Sequence, residues 1–259
     1  MSGDPGHHLS MRPAGALRAL LLALLVLAPG LPGASPVRAI APPAPAGPEL
    51  APLPPCRYLD EMTRFREPSD WARTMLDTRL RLPRDYRAPG LVSVTRAGIA
   101  GSGKVRQLVI PDLTALARAA RKAGFPLQVR SAWRSWETQE AVFAGWVRKS
   151  GYREALRYSA RPGHSEHQLG TTLDLGPAAA SRDPWEDGGM DRTPTGRWMR
   201  ANAWRFGWVM SYPKGEEDRS CYGYEAWHWR YVGRETAAAV RESGLPLRVW
   251  LWRNSERLP

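Results

Sequence analysis

A compositional break near residue 55 limits what this chain can fold into. Residues 40–55, IAPPAPAGPELAPLPP, form a Pro/Ala-rich tract with little charge and no hydrophobic period, which predicts an extended, semi-rigid tether. Farther upstream, Arg12 and Arg18 precede the apolar run ALLLALLVLA at 19–28. Pro29 and Pro32 interrupt that run well short of the roughly 20 residues a membrane span needs, so no stable span is expected. A basic region, a short apolar stretch and the small-residue site Val37-Arg38-Ala39 predict a secretory signal over 1–39, with an uncleaved anchor as the alternative. The body of the chain is therefore expected to be exported, to the extracellular space, cell wall or periplasm. Residues 56–259 show no second low-complexity stretch and no internal repeat, which predicts one compact domain of ordinary size. An apolar content of 43% with 12 tryptophans supplies a core and excludes disorder throughout.

Loss of residues 1–39 would remove three arginines (12, 18 and 38) and Asp4, lowering the formal charge from +12 to +10. Such a field attracts polyanions. The excess is nearly all arginine and is scattered, with no run of five or more, so a nucleic-acid partner is not expected. Export directs the inference instead to anionic cell-wall polymers or membrane surfaces. The two cysteines, Cys56 and Cys221, stand at opposite ends of the mature chain, and in an exported protein this predicts one disulfide. A monomer is expected.

Periodicity places elements irregularly along the domain. PDLTALARAARKAGF (111–125) reads as a helix with Leu113, Leu116, Ala117 and Ala120 on one face and Gly124 just past its end. PLQVRSAW follows as a strand. Ser135 can cap a second helix, WETQEAVFAGWVRKS, with an apolar stripe of Val142, Phe143, Trp146 and Val147. GTTLDLG is a short strand, TGRWMRANAWRF (195–206) a helix, GWVMSY a strand, PKGEEDRSCYGYE a loop, WHWRYVG a strand, and GRETAAAVRESG a closing helix. There is no even βαβ spacing and no Gly-rich phosphate loop. The pattern predicts an α+β fold with a small, mainly antiparallel sheet flanked by helices.

The stretch ARPGHSEHQLGTTLDLGP (160–177) is the densest in metal-ligand side chains. A hydrolytic zinc site needs three protein ligands and an open fourth position. His167 and Asp174 can supply two, on a turn and on the strand after it, with His164 as an alternative. Of the five histidines, His7 and His8 lie in the signal region, which leaves His228 for the third ligand. Glu225, three residues ahead of it, is placed to act as a general base. On spacing alone, a hydrogen-bonded or surface histidine explains this pattern equally well.

Longer motifs add to this reading. GHSEHQLGTTLD resembles the S-x-H-x-x-G-x-x-x-D signature of VanY-like D-alanyl-D-alanine carboxypeptidases, zinc peptidases of bacterial cell-wall metabolism, and EAWHWRYVG resembles their E-P-W-H-x-R-Y-V-G motif. RSAWRSWETQ is similar to the family's S-G-Y-R-S-x-x-x-Q, and RLPRDYRAPGLVSV to its L-P-x-D-Y segment, so the resemblance runs from about residue 75 to 245. It implies a hedgehog/D,D-peptidase-like fold and one zinc ion held by His167, Asp174 and His228. It also implies that Glu225 is the general base and that Arg134 stabilises the oxyanion. Ser165 would meet the substrate's terminal carboxylate, with Gln139 lining the same pocket. His164 then becomes a supporting or surface residue, and Glu166 a solvated acid. The implied substrates are peptidoglycan stem peptides ending in D-Ala-D-Ala. The alternatives are an L,D-carboxypeptidase acting on tetrapeptide stems and a wall-binding domain that keeps zinc without turnover. Ala226 replaces the motif's proline, and Thr172-Leu173 its small apolar pair before Asp174.

Overall fold

The computed structural model of the chain describes residues 52–186 and 190–258. The expected signal at 1–39, and the expected tether up to residue 51, lie outside the described residues. No described helix is long and apolar enough to cross a membrane.

Among the described residues there are nine short strands and seven α-helices. In chain order the strands are β1 (Glu61–Met62), β2 (Leu80–Arg81), β3 (Leu91–Ser93), β4 (Ala100–Gly101), β5 (Lys104–Arg106), β6 (Leu127–Ser131), β7 (Thr172–Pro177), β8 (Trp208–Met210) and β9 (His228–Tyr231). The helices are α1 (Ile110–Lys122), α2 (Trp136–Ser150), α3 (Tyr152–Tyr158), α4 (Pro194–Asn202), α5 (Glu217–Ser220), α6 (Arg234–Ser243) and α7 (Leu247–Asn254). The main sheet has the order β4-β6-β7-β9-β8; only the edge pair β4–β6 is parallel. The expected mainly antiparallel α+β architecture is the one found.

The core forms because α1 lays Leu113, Leu116, Ala117 and Ala120, all buried, against one face of that sheet. Val129 of β6, Leu173 and Leu175 of β7 and Trp229 of β9 meet them there. Side chains alternate between the faces of a strand, so the residues between these on β7 and β9 are turned to the other face. Asp174 and His228, directly paired across β7 and β9, belong to that second set. The hydrophobic pattern of two strands thereby decides which polar residues stand side by side.

Several elements depart from their sequence expectation. The strand expected over PLQVRSAW ends at Ser131, and the helix expected over 195–206 gives way after Asn202 to a 3-10 turn, Ala203–Phe206. The apolar stripe of α2 serves two surroundings: Phe143 packs with Ala155 and Leu156 of α3, with Trp146 and Val147 against the same cluster, while Val142 and Trp146 also line a cavity. α3 and α7, unmarked in the periodicity, are short helices ordered by tertiary contact.

Cys56 and Cys221 are joined by a disulfide spanning 165 residues. Cys221 has φ 71°, the left-handed region that a β-carbon disfavours, and among the described residues it is the one non-glycine residue there. Next to this link, Arg248 donates to Asp77 at 2.6 Å and to the Pro54 carbonyl at 2.8 Å, which pins the start of the domain to α7. Closing so long a loop restricts the unfolded chain. The double variant Cys56→Ser, Cys221→Ser is expected to lose up to about 5 kcal/mol of stability by the chain-entropy relation, read as a lower midpoint in denaturant unfolding with the fold retained.

Candidate functional site

His167, Asp174 and His228 converge at the meeting point of β7 and β9. Each offers a ligand atom, and these atoms lie within 4.8 Å of one another with all three residues buried. Asp174 sits opposite His228 in the strand register, and His167 comes from the 3-10 turn Glu166–Leu169 that leads into β7. That turn can end abruptly because Gly170 takes φ 73° as its cap, where a β-carbon would lie 2.9 Å from the Arg106 side chain. The carboxylate is bracketed by the two rings: His167 Nε2 is 3.2 Å from Asp174 Oδ2, and His228 Nδ1 is 3.3 Å from Asp174 Oδ1.

Each imidazole is held by its other nitrogen. His167 Nδ1 donates to the Ala132 carbonyl at 2.7 Å, which turns Nε2 toward the cluster. His228 Nε2 donates to Glu166 Oε2 at 3.0 Å, which turns Nδ1 the same way. Among the described residues, His167 Nε2 and Asp174 Oδ1 are buried and make no hydrogen bond. Buried polar atoms without partners are costly and rare, and these two point at a common space together with a third nitrogen. Two imidazoles oriented through their distal nitrogens, plus one carboxylate, form a donor set that suits zinc. The residues present fit the ion.

The charges follow from this packing. Burial lowers the pKa of His167 to about 4, with Arg134 adding to the effect, so its ring is neutral. Burial opposes charge on His228 too, but the neighbouring carboxylates Asp174 and Glu166 raise it to about 10. Asp174 is held well below the usual carboxylate range: burial would raise it, and the neighbouring His167 and His228 outweigh that. Glu225 moves the other way. Burial raises it to about 7, opposed by His228 and reinforced by Asp174, and its Oε2 lies 3.4 Å from His228 Nδ1. A carboxyl group that exchanges its proton near neutrality beside the cluster can both take and return one.

The other expected residues share the wall of one cavity of about 340 Å³ with Glu225, Asp174 and His228. Arg134 follows β6 and is fixed through its backbone, whose N–H donates to the His167 carbonyl at 3.3 Å. Its Nε is buried and makes no hydrogen bond among the described residues. Ser165 precedes the 3-10 turn without capping it, which leaves its hydroxyl to the cavity. Gln139 is buried rather than facing solvent, and its Nε2 donates to the Ala160 carbonyl at 2.7 Å.

Two expectations are corrected. Glu166 is not a solvated acid: it is 4% exposed and accepts from Ser211 at 2.6 Å, from Arg230 at 2.9 Å and from His228. Burial would raise its pKa, but Arg230, His228 and Ser211 hold it at about 2. Nor is His164 a surface residue. It is fully buried away from the cluster, with ring nitrogens 2.8 Å from the Asp77 carbonyl and 3.0 Å from Asp60. The sequence carried a signal for Glu166, since Arg230 shares a face of β9 with His228 and a buried arginine needs a carboxylate, but nothing marked the two as neighbours.

Arg230 is fully buried, and among the described residues its guanidinium donates, besides Glu166, only to the Trp71 and Thr74 carbonyls at 2.9 and 2.6 Å. Removing one partner of such a pair strands the other charge. Glu166→Ala is expected to cost about 3–5 kcal/mol in urea unfolding of the metal-free protein, and Glu166→Gln less.

Similarity to known proteins follows the same residues. Putative carboxypeptidase YodJ of Bacillus subtilis is 35% identical over 143 residues, 55% of this chain and 52% of that protein, so the chain spans about half the length of this curated relative. Among solved structures, the LdcB LD-carboxypeptidase superposes with a TM-score of 0.64 at 26% identity, covering 75% of this chain and 97% of that one. A vancomycin-resistance D,D-pentapeptidase VanY variant in complex with Zn(II) gives 0.60 at 26% identity, covering 70% and 99%. The family model "VanY: D-alanyl-D-alanine carboxypeptidase" matches residues 102–234, a stretch that holds the two imidazoles, both carboxylates and Arg134. With half of its length matched, this chain belongs to the VanY D-alanyl-D-alanine carboxypeptidase family.

Proposed function

We propose that this chain is an exported zinc carboxypeptidase that removes the C-terminal D-Ala of peptidoglycan stem peptides ending in D-Ala-D-Ala. The observation that carries the reading is the convergence of His167 Nε2, Asp174 and His228 Nδ1 on one space, with Glu225 beside it at the wall of a cavity. The Zn(II) held by the related VanY structure supports it.

One bound zinc ion, held by His167, Asp174 and His228, would supply Lewis acidity toward the scissile carbonyl and toward water. Glu225, beside the cluster at the cavity wall, takes the proton of the attacking water and returns it to the leaving amine. Arg134 presents a fixed guanidinium to the oxyanion; burial lowers its pKa and the acids Asp174 and Glu225 oppose that shift. Ser165 and Gln139 receive the terminal carboxylate side of the substrate. Glu166 and the Ala132 carbonyl keep the two imidazoles in the orientation that turns the ligand nitrogens toward Asp174.

A second reading has a specific observation behind it: the LdcB LD-carboxypeptidase superposes at least as well as VanY. In that case the same centre cleaves the last residue of a tetrapeptide stem. Synthetic penta- and tetrapeptide stems incubated with the protein and analysed by mass spectrometry separate the two; loss of alanine from the pentapeptide alone is expected, and cleavage of neither stem overturns both readings.

Metal analysis is expected to find one zinc per chain in the wild type and none in His228→Ala; an empty wild-type site would end the zinc reading. Glu225→Gln is expected to retain the ion and to lose turnover by about 10²–10⁴-fold, the range for a general acid–base group.

A further inference from the structure

Strand β6 changes step at Arg130. Val129 pairs with Leu175 and Ser131 with Asp174, so two steps along β6 match one along β7, and Arg130 is the extra residue of a β-bulge. In a regular strand successive side chains face opposite ways. Here Val129 is buried in the core, and Arg130 and Ser131 after it both line the cavity that holds Glu225. The bulge adds one side chain to the cavity wall, beside the strand position of Asp174, and that side chain is a guanidinium.

Its surroundings leave the charge largely unanswered. Nη2 donates to the Ala180 carbonyl, and Nη1 stands 3.6 Å from Asp183, an acid whose side chain is 40% exposed. Nε is buried and makes no hydrogen bond among the described residues. A 3.6 Å pair with a partly exposed acid answers the charge weakly, so the group retains the capacity to bind an anion. The backbone segment that anchors it continues to Trp185, whose ring meets Trp227 edge-on at 6.4 Å, and both tryptophans line the cavity. Ser165 and Gln139 come to the same cavity from other elements, the 3-10 turn and α2. With these two on the terminal carboxylate, the Arg130, Trp185 and Trp227 group is left for the part of the substrate upstream of the scissile bond.

We infer that Arg130 is a specificity-determining residue that selects stems carrying a free carboxylate on a side chain upstream of the cleaved bond. The inference rests on the carboxypeptidase reading above. A planar guanidinium pairs with a carboxylate through charge-assisted hydrogen bonds, and it repels an ammonium that has no acid beside it.

Two pentapeptide stems differing by one carboxylate, with meso-diaminopimelate or lysine as third residue, test this. Dissociation constants are measured on the Glu225→Gln protein loaded with zinc, with and without Arg130→Ala, so the readout does not depend on turnover. The diaminopimelate stem is expected to bind about tenfold more tightly or better, the worth of one charge-assisted hydrogen bond. Arg130→Ala is expected to erase that difference by weakening the diaminopimelate stem, with the lysine stem bound no less tightly than before, and Arg130→Lys to restore part of it. Equal binding of the two stems, or an equal loss for both in Arg130→Ala, overturns the inference. In the active protein the same preference is expected in KM more than in kcat. If neither stem is cleaved while the binding difference persists, the failure falls on the carboxypeptidase reading and not on Arg130.

Discussion

Glu166 holds the centre of this domain together. One buried carboxylate takes the distal N–H of His228, the hydroxyl of Ser211 and the guanidinium of Arg230, and Arg230 in turn ties the Trp71–Thr74 segment to β9. Three segments distant in sequence are registered through a single side chain. A buried ion pair gives little net stability over a well-packed apolar pair, so what this one contributes is specification. It fixes which nitrogen of His228 faces Asp174, and it fixes the 3-10 turn whose next residue is His167.

The strand register completes the arrangement. Because β7 and β9 each present apolar side chains to α1, Asp174 and His228 are necessarily on the opposite face and adjacent. The bulge at Arg130 then lets β6 supply consecutive residues to that face. The chemistry of the centre and the packing of the core are therefore two sides of the same three strands. A shift of one residue in pairing would exchange them.

Much of this was legible in the sequence, for physical reasons. The periodicity of α1, the glycine-bounded strand around Asp174 and the strand beginning at His228 are local patterns and appear where expected. The candidate ligands were recognisable because few histidines exist and two long motifs agree. What could not be read depends on contact between remote segments. Glu166 looks like any polar residue in a loop until Arg230 and Ser211 are brought to it. His164 looks like a ligand until Asp60 and the Asp77 carbonyl occupy its nitrogens. The helices α3 and α7 are short, and their order comes from what they pack against. The bulge at Arg130 leaves no trace in composition at all.

The turn Glu166–Leu169 has all four residues buried, with Glu166 serving the sheet and His167 the centre. Its neighbours on either side are just as enclosed, from His164 through Leu175. Such a stretch has little sequence freedom, since every side chain in it is enclosed by its neighbours and a change of size or charge has nowhere to go. The rim of the cavity is different: Trp146, Tyr158 and Trp185 come from a helix, a helix end and a connecting segment, and none belongs to the main core. A lineage built on this domain can exchange what it accepts by altering those peripheral positions while its reactive centre stays unaltered.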